Sequence, residues 1–322
     1  MSTTWASLDG TIYDNEELSK EARMIPHLMM VMKDAVEPAS EFLLGKNSGD
    51  KVGFRLYGRI PLSSADTAIQ ETEKVPFGEV PTFHGTGTVF RRAFAVPWTG
   101  TREDLDRLDT EAPIVRALRD HAARVENKVI YDQAVSGRSF TFVADDSATD
   151  KYTFANDGTV AETADLPFSL LQARKLKFEA TRNNIPTFDG SNWLFIGSPQ
   201  IEDDLNSDVT SQGWVDVAKY APSGAEGALR GEIGRVQRMR FAIDNDIVAD
   251  DVGSNNLGSG FLFGEDAIKE MMVYPMHFRV NMNVGDDFGN NKAIAWQSFV
   301  DYVVPWNYTS HGDGRIIHYT SA

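Results

Sequence analysis

A chain of 322 residues, 42% hydrophobic and 11% aromatic, is long enough to bury one large core or two moderate ones. It contains no cysteine, which excludes disulfides, thiolate catalysis and zinc–thiolate sites. A net charge of −16 argues against a nucleic-acid reader, since affinity for phosphates comes mostly from Lys and Arg. The N-terminal MSTTWASLDG lacks a signal-peptide layout, and no apolar run approaches the ~20 residues that span a bilayer, so no membrane partner is expected.

After a polar arm, Leu18, Ala22, Ile25, Leu28, Met29 and Met32 stand at helix-compatible spacing, predicting a helix within Tyr13 to Val36 that Pro26 breaks or kinks. The cluster Met29, Met30 and Met32 reads as core or subunit-contact packing. From Lys51 to Ile60, Val52, Phe54, Leu56 and Ile60 alternate with Arg55, Tyr57 and Arg59, the pattern of a strand with one apolar face. Alternation returns from Thr88 to Trp98, and the two strands are expected to pair. Between them, Pro61 to Gly87 is rich in Ser, Thr, Glu, Pro and Gly and far exceeds the usual hairpin connection of about 2–5 residues. A loop of that length is functional, disordered, or ordered by a neighbour. The local cluster Arg55, Arg59, Arg91 and Arg92 reads first as cations paired with nearby acids.

Thr101 and Asp104 are spaced like a capping pair ahead of the longest predicted helix, Thr110 to Gly137. Pro113 falls in its first turn, and Gly137 stands where a left-handed cap would end it. Ile114, Leu118, Ala122, Val125 and Val129 form one stripe roughly 80° wide. About 24 helical residues give ~36 Å, the length of a domain. No catalytic motif lies on this helix, so it reads as a beam. Farther on, the pattern predicts a helix within Asp165 to Asn183, a strand buried on both faces at Asn192 to Gly197, and a helix capped by Ser198 and opened by Pro199. It also predicts a short helix from Gly213 to Tyr220, a strand within Glu232 to Ile243, a polar loop to Gly260, and a helix from Glu265 to Val273. Strands are expected at Phe278 to Val284, Ile294 to Val304 and Arg315 to Tyr319, giving an α+β fold with long-range strand pairing.

The chemistry is sparse. Ser198 follows a buried strand, but Gln200 stands where a nucleophile elbow requires glycine, so helix capping is the better reading. His121 lies at the edge of the long helix's apolar stripe, and His27, His84, His277, His311 and His318 show no metal-ligand spacing. Asp244, Asp246, Asp250 and Asp251 lack the glycine and terminal glutamate of an EF-hand loop and read as a solvated acidic loop. Gly85-Thr86-Gly87 and Gly258-Ser259-Gly260 do not sit between a strand and a helix as phosphate-binding loops do. No catalytic residue, cofactor or metal is expected.

The order of parts is arm, helix, strand, very long loop, returning strand, long helix, mixed subdomain and strand-rich return. It resembles the major capsid protein of tailed double-stranded DNA bacteriophages with the Hong Kong 97-type fold. The stretches GDKVGFRLYGRIPL at Gly49 to Leu62, FRRAFAVPW at Phe90 to Trp98, TREDLDRLDTEAP before the long helix, NWLFIGSPQ at Asn192 to Gln200 and GEIGRVQRMRFAIDN at Gly231 to Asn245 are similar to those of short-tailed phages. The resemblance implies an N-terminal arm and helix at 1–48, an extended E-loop hairpin at 49–98, a peripheral domain at 99–189 with a spine helix at 113–136, an axial domain at 190–273 and peripheral return strands at 274–322. It further implies self-assembly as hexamers and pentamers into an icosahedral virion head, built in the host cytoplasm, that encloses the DNA genome without sequence-specific binding.

Under that resemblance, Arg55, Arg59, Glu71, Lys74, Arg91 and Arg92 are the expected intersubunit contacts, and Ile114, Leu118, Val125 and Val129 the structural spine. A portal and, in some relatives, a decoration protein are the further partners implied. Because the spine begins near residue 110, there is no room ahead of it for a fused scaffolding segment of about a hundred residues, and a separate scaffolding protein is expected. Two other readings stand beside it: a bacterial nanocompartment shell, and a soluble α+β hydrolase or sugar-binding protein with the long loop as a lid. Some relatives crosslink neighbours through Lys–Asn isopeptide bonds. Lys74 is a conceivable donor, but an ordinary surface lysine is the commoner case. Boiling in SDS is therefore expected to leave a 35.7 kDa monomer band, and a ladder of multiples would contradict it.

Overall fold

The computed structural model describes residues 30–44, 49–58, 60, 69, 71, 72, 74, 75, 77–106, 111–159, 164–207, 232–247, 258–281, 290–307 and 314–322. The chain begins there with a 3-10 turn, Met32–Ala35, then β1 (Val36–Leu43), β2 (Lys51–Tyr57), β3 (Thr82–Thr88), β4 (Arg92–Thr99), α1 (Gly100–Leu105) and α2 (Glu111–Ser136). It continues through β5 (Phe140–Ala144), β6 (Tyr152–Ala155), α3 (Leu170–Arg182), β7 (Trp193–Gly197), α4 (Pro199–Ser207), β8 (Glu232–Val236) and β9 (Met239–Ile243). The last strands are β10 (Gly258–Phe263), β11 (Ile268–Asn281), β12 (Asn291–Val303) and β13 (Ile316–Ser321).

Three sheets organise these elements: a seven-stranded one in the order β6-β5-β13-β10-β7-β9-β8, a four-stranded one in the order β1-β11-β12-β4, and the pair β2-β3. In the large sheet the two faces are both apolar, as the continuous run WLFIG predicts. Trp193 and Phe195 of β7 join Phe140, Phe142, Phe241, Ile317 and Tyr319 in one cluster, which α3 covers with Ala173, Leu176 and Ala180 and α4 with Ile201 and Leu205. Leu194 and Ile196 point the other way, into a second cluster with Phe261, Phe263 and Ile316.

Helix α2 closes that second face and continues past it. Its C-terminal half contributes Ile130 and Ala134 to the cluster containing Leu194, Ile196, Val300 and Tyr302. Its N-terminal half places Leu118 and Ala122 on the four-stranded sheet, against Trp98, Ile294 and Trp296. At 1.5 Å per residue, 26 residues span ~39 Å and reach both cores. Of the expected spine residues, Leu118 is only 1% exposed, whereas Ile114, Val125 and Val129 are half-buried. A row of every fourth residue precesses by about 40° per step, which carries the buried row to Ile130 and Ala134 in the second cluster. Gly137 is not in the left-handed region; its amide reaches Gln133 O at 2.8 Å, and the absence of a side chain lets Val304 pack against its Cα.

Several expectations are corrected. The segment 51–60 meets 88–98 only at its first pair, Lys51↔Thr88: β2 pairs with β3 in the register Val52↔Gly87, Phe54↔Gly85 and Leu56↔Phe83, while β4 pairs with β12 through Val96↔Ile294 and Phe94↔Trp296. The sequence TFHGTGT of β3 hides its strand character, with two glycines where apolar residues would show the period. The predicted helix 265–273 is a turn followed by β11, because β11 is hydrogen-bonded between β1 and β12 and that ladder outweighs the helical propensity of Lys, Glu and Met. Segment 232–243 is two strands, reversed at Gln237 and Arg238 with φ of 52° and 63°. Residues 32–36 form a 3-10 turn and the start of β1, while the helix predicted over 13–29 and that at 213–220 lie outside the described residues. The cap of α1 is Thr99, whose hydroxyl accepts from the Arg102 amide. Ser169 caps α3 in the same way, so that helix begins at Leu170. The large sheet takes strands from 99–189, 190–273 and 274–322 alike, and the expected boundary at 273 falls inside β11.

Beneath the middle of α2, Glu126 accepts hydrogen bonds from Tyr302 Oη at 2.6 Å and Lys33 Nζ at 2.8 Å. Burial pushes the nearby Glu270 carboxyl above its ordinary value of 4.5; Lys33 partly counters this and the Glu126 charge adds to it. A carboxyl raised in the folded state favours folding below that value and loses the contribution as pH rises through the raised range. Glu270→Gln is therefore expected to raise the thermal midpoint near about pH 8, with the gain shrinking as pH falls toward the carboxylate range; equal gains at both ends would count against it. Leu118→Ala should cost about 2–5 kcal/mol and Val125→Ala about half that or less, read from urea unfolding.

Candidate intersubunit surface

The hairpin β2–β3 stands on the rest of the fold by one end. Along β2, Val52 is buried and Phe54 and Leu56 are half-buried, while Lys51, Gly53, Arg55 and Tyr57 are exposed. Its inward face begins in a small cluster of Val52, Val89 and Met271, with Phe54, Phe299 and Val303 packed around it. Gly87 lies against Met271 and Gly85 against the Phe54 ring, and a Cβ at either position would collide with those side chains. These glycines let bulky residues of β2 and β11 close over a thin strand.

Beyond that anchor the segment exposes apolar surface. Phe77 is 98% exposed, Val75 69%, Tyr57 62% and Ile60 56%. A two-stranded pair is marginal by itself in water, and exposed apolar side chains add nothing to its stability. Of the residues singled out by charge, Arg55, Glu71 and Lys74 are exposed along this segment, and Arg59 lies outside the described residues. Arg91 and Arg92 serve the four-stranded sheet: Arg91 Nη2 donates to Gln297 Oε1 at 2.7 Å, and Arg92 donates to Val300 O at 2.7 Å and to Asp301 Oδ2 at 3.2 Å. Sequence reasoning missed Val75 and Phe77. The available signal was apolar residues with no period to bury them inside a stretch rich in Glu, Thr, Pro and Gly.

The residues weighed for chemistry fall into structural roles. Ser198 is buried, and its hydroxyl accepts from the Ser259 amide at 3.3 Å while the Ser198 amide donates to Ser259 O at 2.8 Å, so it clips β7 to β10 instead of capping α4 with its side chain. Ser259 Oγ lies 3.0 Å from Nε2 of the fully buried His318, and Arg138 Nη1 lies 3.0 Å from its Nδ1. A guanidinium only donates, so Nδ1 accepts and Nε2 carries the proton toward Ser259. In that tautomer the imidazole cannot take the serine's proton, and the pair has the orientation of a clamp on β13. His121 Nδ1 accepts from Trp296 Nε1 at 3.1 Å, tying α2 to β12. Asp204 holds the Phe168 amide at 3.0 Å ahead of α3. Asp244 accepts from Asn127 Nδ2 at 2.8 Å, which fastens the loop after β9 to α2. Among the described residues, no group of three or more His, Asp or Glu is disposed to hold a metal ion.

No family model matches the sequence, and no curated protein is similar to it. Solved structures share its fold. The capsid of Ralstonia phage GP4 superposes with a TM-score of 0.64 at 15% identity, covering 100% of this chain and 99% of that one. The cyanophage Pam1 capsid asymmetric unit gives 0.64 at 11% identity over 100% and 98%. The mature capsid of bacteriophage PhiM1 gives 0.59 at 11% identity over 100% and 99%. The chain therefore has, end to end, the α+β fold of phage capsid chains.

Proposed function

We propose that this chain is a structural subunit of a tailed-phage head, assembling as hexamers and pentamers into an icosahedral shell around double-stranded DNA. The observation that carries the reading is the full-length likeness to phage capsid chains, joined to a hairpin that leaves Phe77 and Val75 in solvent. In this reading β2–β3 is the E-loop and α2 the spine. The four-stranded sheet with α2 forms the peripheral domain, and the seven-stranded sheet with α3 and α4 forms the axial domain. The hairpin's exposed apolar residues gain most by lying across an adjacent subunit, since burying one large apolar side chain contributes about 1.5–3 kcal/mol. A net charge of −16 suits a container that holds DNA without gripping it. The role is mechanical, and the subunit acts in the virion.

Negative-stain microscopy of the expressed protein, alone and with a candidate scaffolding protein, is expected to show closed particles hundreds of ångströms across. A monomer or small oligomer under every condition would overturn the reading. Phe77→Ser should leave the subunit's own stability within about 0.5 kcal/mol, because the residue packs on nothing within the described chain, yet should reduce particle yield.

A further inference from the structure

Helix α3 has a second face that the fold does not use. Leu171 is 47% exposed and Phe178 56%, and Arg174, Thr181 and Arg182 are exposed beside them. At 100° per residue these five positions fall within an arc of about 100°. They lie opposite Ala173, Leu176 and Ala180, which pack on the seven-stranded sheet. The helix is also cationic, with Arg174, Lys175, Lys177 and Arg182 against a single acid, Glu179. That acid is buried and already accepts from Tyr152 Oη at 2.7 Å and Arg182 Nη1 at 3.2 Å. Lys175 is drawn aside to Asp150 at 2.8 Å, whereas the Arg182 side chain stays 66% exposed despite its contact. The outcome is a ridge of one leucine, one phenylalanine and two arginines facing solvent.

We infer that this ridge docks on an acidic face of a second copy of the chain, an inference that rests on the shell reading above. Aromatic and arginine side chains are the residue types enriched at interface centres, because they bury large area and leave their charge able to pair. The complementary charge is supplied by the chain itself: it carries 47 acidic against 31 basic residues, and Asp104, Asp157 and Asp203 are among its exposed carboxylates. A copy with 47 acidic against 31 basic residues offers mostly acidic surface to a basic ridge, and a contact between such unlike surfaces is head-to-tail and can propagate around a ring. It is separate from the hairpin contact, since α3 covers the seven-stranded sheet and β2–β3 is anchored near β11 and β12.

Particles assembled from mixed isotopically heavy and light subunits, with Phe178 replaced by a benzophenone amino acid, test this directly. Irradiation is expected to give heavy–light crosslinked peptides whose acceptor is rich in Asp or Glu. Crosslinks confined to one chain, crosslinks to another protein, or none at all in well-formed particles would each overturn the inference while leaving the shell reading intact. In parallel, Arg174→Glu should leave the thermal midpoint of the unassembled subunit unchanged, because Arg174 is exposed and Glu179 keeps its Arg182 partner, but lower particle yield severalfold. Added salt should loosen wild-type particles and have less effect on those of the variant. Unaltered yield from the variant would also overturn it. Failure of the wild-type chain to form particles at all would remove both readings together.

Discussion

One helix is shared by two cores, and most of the subunit's shape follows from that. Leu118 and Ala122 of α2 belong to the four-stranded sheet, and Ile130 and Ala134 belong to the cluster under the seven-stranded sheet. A rigid rod fixed in both makes their relative placement a property of helix geometry, because an α-helix resists bending between its ends and carries its own hydrogen bonds. The midpoint of the rod is polar. Glu126 gathers Tyr302 and Lys33 there, and buried Asn127 reaches Asp244, so directional contacts set the helix's rotation where the two apolar surfaces meet.

The large sheet is held by closure of its strands and by polar clips within it. β13, near the C-terminus, lies between β5 and β10, parallel to one and antiparallel to the other, so the last residues of the chain complete a core begun some 180 positions earlier. The buried contacts among Arg138, His318, Ser259 and Ser198 fasten that late strand to its neighbours. Such a network is stabilising only when its members are satisfied together.

What remains outside the cores is the surface on which the proposed role depends. The β2–β3 hairpin is thin, glycine-bearing and anchored by few side chains, and beyond that anchor Tyr57, Val75 and Phe77 are exposed. The rear of α3 is a second unused face of different chemistry, cationic where the hairpin tip is apolar. Two distinct exposed surfaces on one subunit suit a lattice, in which each copy meets neighbours in more than one way.

Periodicity in the sequence determined the long helix, the doubly buried strand at Trp193–Gly197, the alternation of 51–57 and the α+β class, because burial of one helix stripe or strand face leaves a mark on neighbouring residues. The order of parts along the chain resembles that of the capsid fold which the solved structures share. The tertiary structure alone decided which strands pair. TFHGTGT became β3 because its glycines fit beneath Phe54 and Met271, and IKEMMV became β11 because β1 and β12 flank it on both sides. It also bonded Arg91 and Arg92 to the four-stranded sheet and brought Phe77 to the surface. Those outcomes depend on partners hundreds of residues away in some cases, and a local pattern records which side of a residue is buried but not what buries it.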